Sequence, residues 1–403
     1  MASASIGPHH GLPKMTELVS TKVAVSIDRS VAQMTSAHPA TDIRIFAKIS
    51  CSLVDAGYKV ILVAPHEQDQ ELRGVYIRAV SRLTSRRSRM TITAWRVAQV
   101  AYQSGAKVCH FHDPELMPAA IILKLLGRKI VYDVHEDYPE TIATKNWLPA
   151  GLRIPLANAV RFAETFMALV ADRIFAATPT IARRFPRRKT VLLQNFPIEG
   201  ELAPIEGDEY TTRPPIVAYV GGLTAERGAI EMAKAIGLVD KRFKAELHLA
   251  GNLTPSSLEQ DIEQFPGNEQ ITRLGFCNRQ EVRKLLGSAR MGLVLFHEHP
   301  NHVNAQPNKL FEYMSAGLPV IASDFPLWRE IIAGVNAGLL VDPMNPKAIA
   351  EAIEWLLAHP SEAKEMGDRG REAVRAQYNW TQEERKLIST YAELTTVKST
   401  SRS

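Results

Sequence analysis

The stretch Val217-Ala-Tyr-Val-Gly-Gly-Leu-Thr-Ala-Glu-Arg-Gly228 decides the fold. The apolar, β-branched run Ile216–Val220 reads as a buried strand. Gly221 and Gly222 end it, and helical patterning takes over from Gly228 to Ile236. A strand that stops at glycines and turns into a helix opens a parallel α/β sheet. The alternation continues downstream. Strand runs fall at Glu246–Ala250, Thr272–Phe276, Met291–Phe296, Pro319–Ala322 and Leu339–Val341. Helical runs fall at Gln280–Leu286, Lys309–Ser315, Pro346–Ala358 and Ser361–Arg375.

Upstream the same pattern recurs. Strand runs are Lys22–Ile27, Lys59–Val63, Val108–Phe111, Ile130–Val134, Arg173–Ala176 and Val191–Leu193, and helical runs include Ile43–Ala56 and Leu156–Val170. The Pro-, Gly- and acid-rich stretch Pro197–Pro215 separates the two series and reads as a linker. At roughly 100–200 residues per domain, 403 residues suit two domains. The expected division is 1–20 as a disordered leader, 21–203 as a first Rossmann-like domain and 204–214 as the linker. A second such domain would take 215–377 and a final helix 378–395, with 396–403 as a disordered tail. Two doubly wound domains facing each other place a ligand cleft between the carboxyl ends of both sheets.

Composition narrows the class. Hydrophobic residues make up 45% and charged residues 23%, which is ordinary for a globular chain. No apolar run reaches about 18 residues, so no membrane span is expected. The first 20 residues lack the apolar core of a secretory signal. Cys51, Cys109 and Cys277 show no zinc-ligand spacing. Few cysteines in a long chain fit a reducing compartment, and a cytoplasmic location is expected.

The net charge is +5, unevenly placed. No acidic residue occurs from Leu72 to His112, while Arg73, Arg78, Arg82, Arg86, Arg87, Arg89 and Arg96 fall there. Arg183, Arg184, Arg187, Arg188 and Lys189 form a second cluster. Two readings stand: a solvated basic face, or a surface for a polyanion or an anionic membrane. Val75, Ile77, Val80, Leu83, Met90, Ile92 and Trp95 would supply the apolar side of a membrane contact through Arg73–Arg96. Nothing resembles a DNA- or RNA-binding module, and no nucleic-acid partner is expected.

Three segments carry a family resemblance. They are Val217–Gly228, the gapless block Pro307-Asn-Lys-Leu-Phe-Glu-Tyr-Met-Ser-Ala-Gly-Leu-Pro-Val-Ile-Ala-Ser-Asp324, and the pair His112-Asp-Pro-Glu115 and Val131-Tyr-Asp-Val-His-Glu136. Together they resemble glycosyltransferase family 4, the retaining enzymes of GT-B fold. The resemblance runs over most of Thr21–Leu394. It implies two facing Rossmann-like domains and a nucleotide-diphosphate sugar donor, UDP- or GDP-linked. A hexose-type sugar would move to a glycan or lipid-linked acceptor in surface-polysaccharide assembly. No cofactor and no metal are implied. The last helix would cross back onto the first domain. A GT-B-fold epimerase is the competing enzyme class.

Chemistry can then be assigned to positions. Gly221 and Gly222 let a phosphate approach the backbone, and the following helix start adds partial positive charge. Arg227 matches the family cation that binds the donor diphosphate. The usual preceding Arg is replaced by Gly222, and Lys309 is the candidate replacement. Asn308 and Lys309 open a helix whose first N–H groups are free, after Pro307. Glu312 matches the carboxylate that accepts from the ribose hydroxyls. Asn304 stands where the family often has a second Glu. An amide forms no glycosyl ester, so Asn304 is limited to hydrogen bonding, and His297 and His302 join it as sugar-reading candidates. The resemblance places His135 beside the transferred sugar, and Glu136 with it toward the acceptor. Asp113 and Glu115 remain open between acceptor contact and helix capping.

Overall fold

Two sheets, each sandwiched by helices, organise the chain. The computed structural model describes residues 29–81, 83, 85, 88–145, 148–203 and 209–396. In the first sheet the strands are β1 (Ser30–Met34), β2 (Lys59–Pro65), β3 (Gln70–Leu72), β4 (Val75–Val80), β5 (Val108–Phe111), β6 (Lys129–Val134), β7 (Arg173–Ala176) and β8 (Thr190–Leu192). Their order is β3-β4-β2-β1-β5-β6-β7-β8. Only the β3–β4 pair is antiparallel. The second sheet holds β9 (Ile216–Val220), β10 (Glu246–Ala250), β11 (Ile271–Gly275), β12 (Met291–Val294), β13 (Val320–Ser323) and β14 (Gly338–Val341). It runs β11-β10-β9-β12-β13-β14, parallel throughout. Parallel strands covered on both faces need continuous apolar runs. Val60, Leu62, Val63 and Ala64 of β2 accordingly show no exposure.

The structure departs from the sequence reading at two strands. Lys22–Ile27 lies outside the described residues. The central strand β1, Ser30–Met34, is absent from the strand runs read above. Buried Gln33 disguises it. Its side chain is satisfied by the Tyr391 hydroxyl (3.2 Å) and by His112 Nε2 (2.8 Å). Second, β4 occupies part of the basic stretch. Val75, Ile77 and Val80 are buried in the sheet rather than offered to a surface. Alternation explains Val75 and Ile77, which point in while Tyr76 and Arg78 point out, Arg78 to Asp69 (2.8 Å).

The helix Trp380–Thr395 leaves the second domain and packs on the first. Trp380 Nε1 donates to Ser52 Oγ (2.9 Å), and Tyr391 is fully buried against Phe175 and Val108 of the first core. The strand order reverses at β1/β5 in one sheet and at β9/β12 in the other. Ligand crevices form outside such switch points. Here both open onto one cleft.

Candidate active site

The cleft between the domains has a volume of about 1020 Å³. That is at the large end of what small-molecule sites need. Its second-domain wall is built from the ends of β9 and β12 and the start of the helix Asn308–Ser315. Gly221 sits at the end of β9 with φ +114°, a conformation that disfavours side chains. A Cβ there would lie 3.2 Å from Lys309 Nζ. The Gly221 N–H donates to Ala250 O (2.8 Å), so this glycine gives room rather than a phosphate donor.

Lys309 is buried, and its Nζ finds no hydrogen-bond acceptor among the described residues. It rests 3.7 Å above the Tyr219 ring. Burial, and then the nearby Arg227 charge, push its amine well below the usual lysine value. Arg227 borders the cleft, donates to Gly222 O (3.1 Å) and lies over Phe296. Gly222 is not a cleft residue. Its carbonyl holds Arg227, and a Cβ would come 3.3 Å from that guanidinium. Asn308 borders the cleft beside Lys309.

Glu312 lies one turn further on and is buried. Arg279 Nη1 donates to it (2.8 Å), and Arg279 also grips Glu201 through Nε (2.9 Å) and Nη2 (2.7 Å). Burial would lower the Arg279 pKa, but Glu201 and Glu312 outweigh it and raise it. Sequence reasoning passed over Arg279. One signal was present: a cation at the first turn of a helix opposes the helix dipole and so calls for a partner.

The loop before this helix is anchored by Trp328 Nε1 donating to Ala305 O (2.8 Å). Asn304 ends the short helix Pro300–Val303 and faces the cleft, as does His302. His297 turns away to Glu231 (2.9 Å).

The facing wall comes from the first domain. His135, Glu136, Asp42 and Arg44 border the cleft. His135 Nε2 lies 2.9 Å from Asp133 Oδ2. Asp133 is fully buried and takes Arg44 on both oxygens, at 2.9 and 2.6 Å. Its burial would raise the pKa, yet the Arg44 charge and the His135 and His112 contacts hold it well below the carboxylate range. Burial drives His112 down to about 4, so this imidazole is neutral at pH 7. His110, His112 and Asp133 bring ligand atoms within 4.8 Å of one another. A cation there would meet the Arg44 guanidinium already on the same carboxylate, which argues against a metal.

Asp113 and Glu115 do not border the cleft. The Asp113 carboxylate turns back to Thr35 Oγ1 (2.7 Å), the Ser36 N–H (2.7 Å), the Ala37 N–H (3.2 Å) and His38 (3.0 Å). It makes no capping bond to the turn at Pro114. Burial opposes its ionisation, but the His38 hydrogen bond and charge and the loop donors keep it ionised. Glu115 accepts from Ser36 Oγ (3.1 Å). Both acids therefore shape the loop after β1. The two walls meet through Asn301 Nδ2 donating to Thr141 Oγ1 (2.9 Å) and Gln194 Nε2 to Gln306 Oε1 (2.6 Å).

Two doubly wound domains with facing switch points and one shared cleft define the GT-B class of glycosyltransferase folds. Solved structures agree. Sucrose-phosphate synthase from Thermosynechococcus elongatus superposes with TM-score 0.74 at 18% identity, over 91% of this chain and 99% of that one. Anabaena HepE in complex with UDP-glucose gives 0.69 at 13% identity, over 90% and 99%. The sequence model described as glycosyl transferases group 1 matches residues 207–373, and that of a glycosyl transferase 4-like domain matches residues 44–192. The chain belongs to this glycosyltransferase family. An uncharacterised glycosyltransferase of Methanocaldococcus jannaschii is 25% identical over 177 residues, 44% of each chain. The matched region spans under half the length of the curated relatives.

Proposed function

We propose that this protein moves a hexose-type sugar from a nucleoside-diphosphate donor to a glycan or lipid-linked acceptor, with retention at the anomeric carbon. One observation carries the donor half. Lys309 is a buried amine whose Nζ has no hydrogen-bond acceptor among the described residues, set beside Arg227 and a helix start on the cleft wall. A buried amine without a partner is costly unless an anion occupies the site in function. A diphosphate fits that demand, and the UDP-glucose bound to HepE supports the same ligand class. Glu312 faces the ribose, with Arg279 holding one of its oxygens.

In the reaction the bond from the anomeric carbon to the phosphate oxygen breaks, and a bond to the acceptor oxygen forms on the same face. The acceptor proton passes to the leaving phosphate oxygen. Lys309 and Arg227 stabilise the charge that develops on the diphosphate, so no metal is required. His135, whose Nε2–H is held by the Asp133 carboxylate, presents Nδ1 to accept from a hydroxyl of the sugar or acceptor, and Asn304 contributes a hydrogen bond only. Glu136 lies toward the acceptor. Closure of the cleft excludes water and protects the donor from hydrolysis. Surface-polysaccharide assembly on the inner face of the cytoplasmic membrane is the setting this reading favours.

A thermal-shift screen of UDP- against GDP-sugars tests the donor site. One donor class should raise Tm, and Glu312→Ala should weaken that donor by about tenfold, the scale of a lost pair of charge-assisted hydrogen bonds. A shift unchanged in Glu312→Ala would remove the ribose role. Product stereochemistry by NMR tests retention, and an inverted linkage would refute it.

A further inference from the structure

The helix Ala150–Val170 is oddly placed for a 21-residue helix of apolar composition. Only Ala157, Glu164, Met167 and Ala168 are buried. Leu152 and Leu156, and after a six-residue step Phe162, Phe166 and Leu169, follow one another at three- to four-residue spacing along its exposed side. All five are exposed, Phe162 by 75% and Leu169 by 68%. The neighbouring helix Met117–Leu125 packs on this one and leaves Leu125 81% exposed. That helix in turn packs on Ala94–Gln103, which exposes Trp95.

Charge selects the occupant. The helix holds one acid, Glu164, which faces inward to Tyr132 and Arg184. Its exposed flank carries Arg161. Its carboxyl end is bound by Lys189, whose Nζ donates to the carbonyls of Ala168, Leu169 and Ala171 at 3.1, 2.7 and 2.8 Å. Those bonds fasten the second basic cluster to the end of the apolar stripe, with Arg187 and Arg188 exposed. An apolar face rimmed by cations and free of exposed acid suits the interface of an anionic bilayer. The helix would lie on that surface. Among the described residues, none is long and apolar enough to cross a membrane.

We propose that the outer face of Ala150–Val170 docks the protein onto an anionic lipid surface, with Phe162, Phe166 and Leu169 entering the interface and Arg161, Arg187 and Arg188 on headgroups. The proposal deepens the lipid-linked acceptor reading above and rests on it for the purpose of docking, not for the geometry. The proposal extends the reading of Arg73–Arg96, where Val75, Ile77 and Val80 belong to the core while Met90, Ile92 and Trp95 are exposed. It also orients the cleft. The short helix Tyr138–Ala143 packs on the docking helix and contributes Glu140 and Thr141 to the cleft wall. Arg184 ties the docking helix to the cleft residue Asp137 (2.8 Å). An acceptor held in the bilayer would then meet the first-domain wall.

Flotation of the full chain with vesicles of phosphatidylglycerol and phosphatidylcholine, against phosphatidylcholine alone, tests this. Binding is expected only with the anionic lipid. The double change Phe162→Asp and Phe166→Asp should reduce it at least tenfold. Arg187→Glu with Arg188→Glu should weaken it in a salt-dependent way. Donor thermal shifts, read on the same variants, should not change, which separates failure of docking from failure of the donor site. Absence of flotation, or flotation indifferent to the aspartates, overturns the proposal. So does sedimentation showing a wild-type dimer that the aspartates disperse, since the stripe would then face a second copy.

Discussion

Lys309 and Arg44 are both buried cations, one on each wall of the cleft, and they are treated in opposite ways. Arg44 meets both oxygens of Asp133, and that carboxylate also orients His135. Lys309 has an aromatic face beneath it and no acceptor for its protons among the described residues. The first-domain wall thus carries its own counter-charges. On the second-domain wall Arg279 takes Glu201 and Glu312, and Lys309 is left with no acceptor among the described residues. A matched buried pair holds shape, whereas an unmatched buried cation leaves a demand that a ligand can meet.

Breaking the matched side should show mainly as lost stability. Asp133→Ala strands Arg44 in the core, and removing one partner of a buried pair costs about 3–5 kcal/mol. The free chain should melt at a clearly lower temperature. The increment in Tm given by the nucleotide donor should survive, because the donor residues stand on the other sheet. Loss of that increment would mean the two walls are not separable. Transfer should also fall, since His135 loses the carboxylate that fixes its ring.

The unmatched side predicts the reverse. Lys309→Met keeps the stem, removes the unpaired charge, and should leave Tm equal or higher. Donor-dependent kcat/KM should fall by about 10²–10³-fold, the usual scale for losing one donor that stabilises developing charge. A variant that melts lower while its kcat/KM is unchanged would assign Lys309 to the fold instead of the reaction.

The two walls were also unequally legible in the sequence. In the second domain, β9, the glycine turn and the helix after Pro307 follow from local pattern, and β9 and β10 fall at Ile216–Val220 and Glu246–Ala250 as read. Local signals suffice there because β9, β12 and β13 are short apolar runs and glycine or proline marks the turn after β9 and the helix after Pro307. The first domain hides its centre. Gln33 breaks the apolar run of β1, and its compensation comes from Tyr391 at the other end of the chain. Arg44 and Asp133 stand 89 residues apart, and Arg279 is 78 residues from Glu201 and 33 from Glu312. Long-range ion pairs leave no local periodicity, so these pairings were not legible in the sequence. The basic run around Arg78 misled for the opposite reason. Its charges are real, but within β4 alternation sends Val75 and Ile77 into the sheet while Tyr76 and Arg78 face out.

The smallest effect separates the walls by protons alone. In the free protein, burial and then Arg227 lower the Lys309 pKa. A diphosphate brings negative charge and raises it again. Between the free and bound values the complex holds more protons than its parts, so donor binding takes up a proton. Affinity must then fall as pH rises through that window, by at most about tenfold per pH unit for one proton. Titration calorimetry in two buffers of different ionisation enthalpy measures the uptake. Lys48 is the group to control for. Burial pushes it down to about 7, and it lies on the first-domain side, bonded to Asn195 Oδ1 at 2.6 Å. If uptake vanishes in Lys309→Met, the unmatched wall is its source. If it persists there and vanishes in Lys48→Met, the proton belongs to the first domain, and the contrast between the walls is narrower than the hydrogen-bond geometry implies.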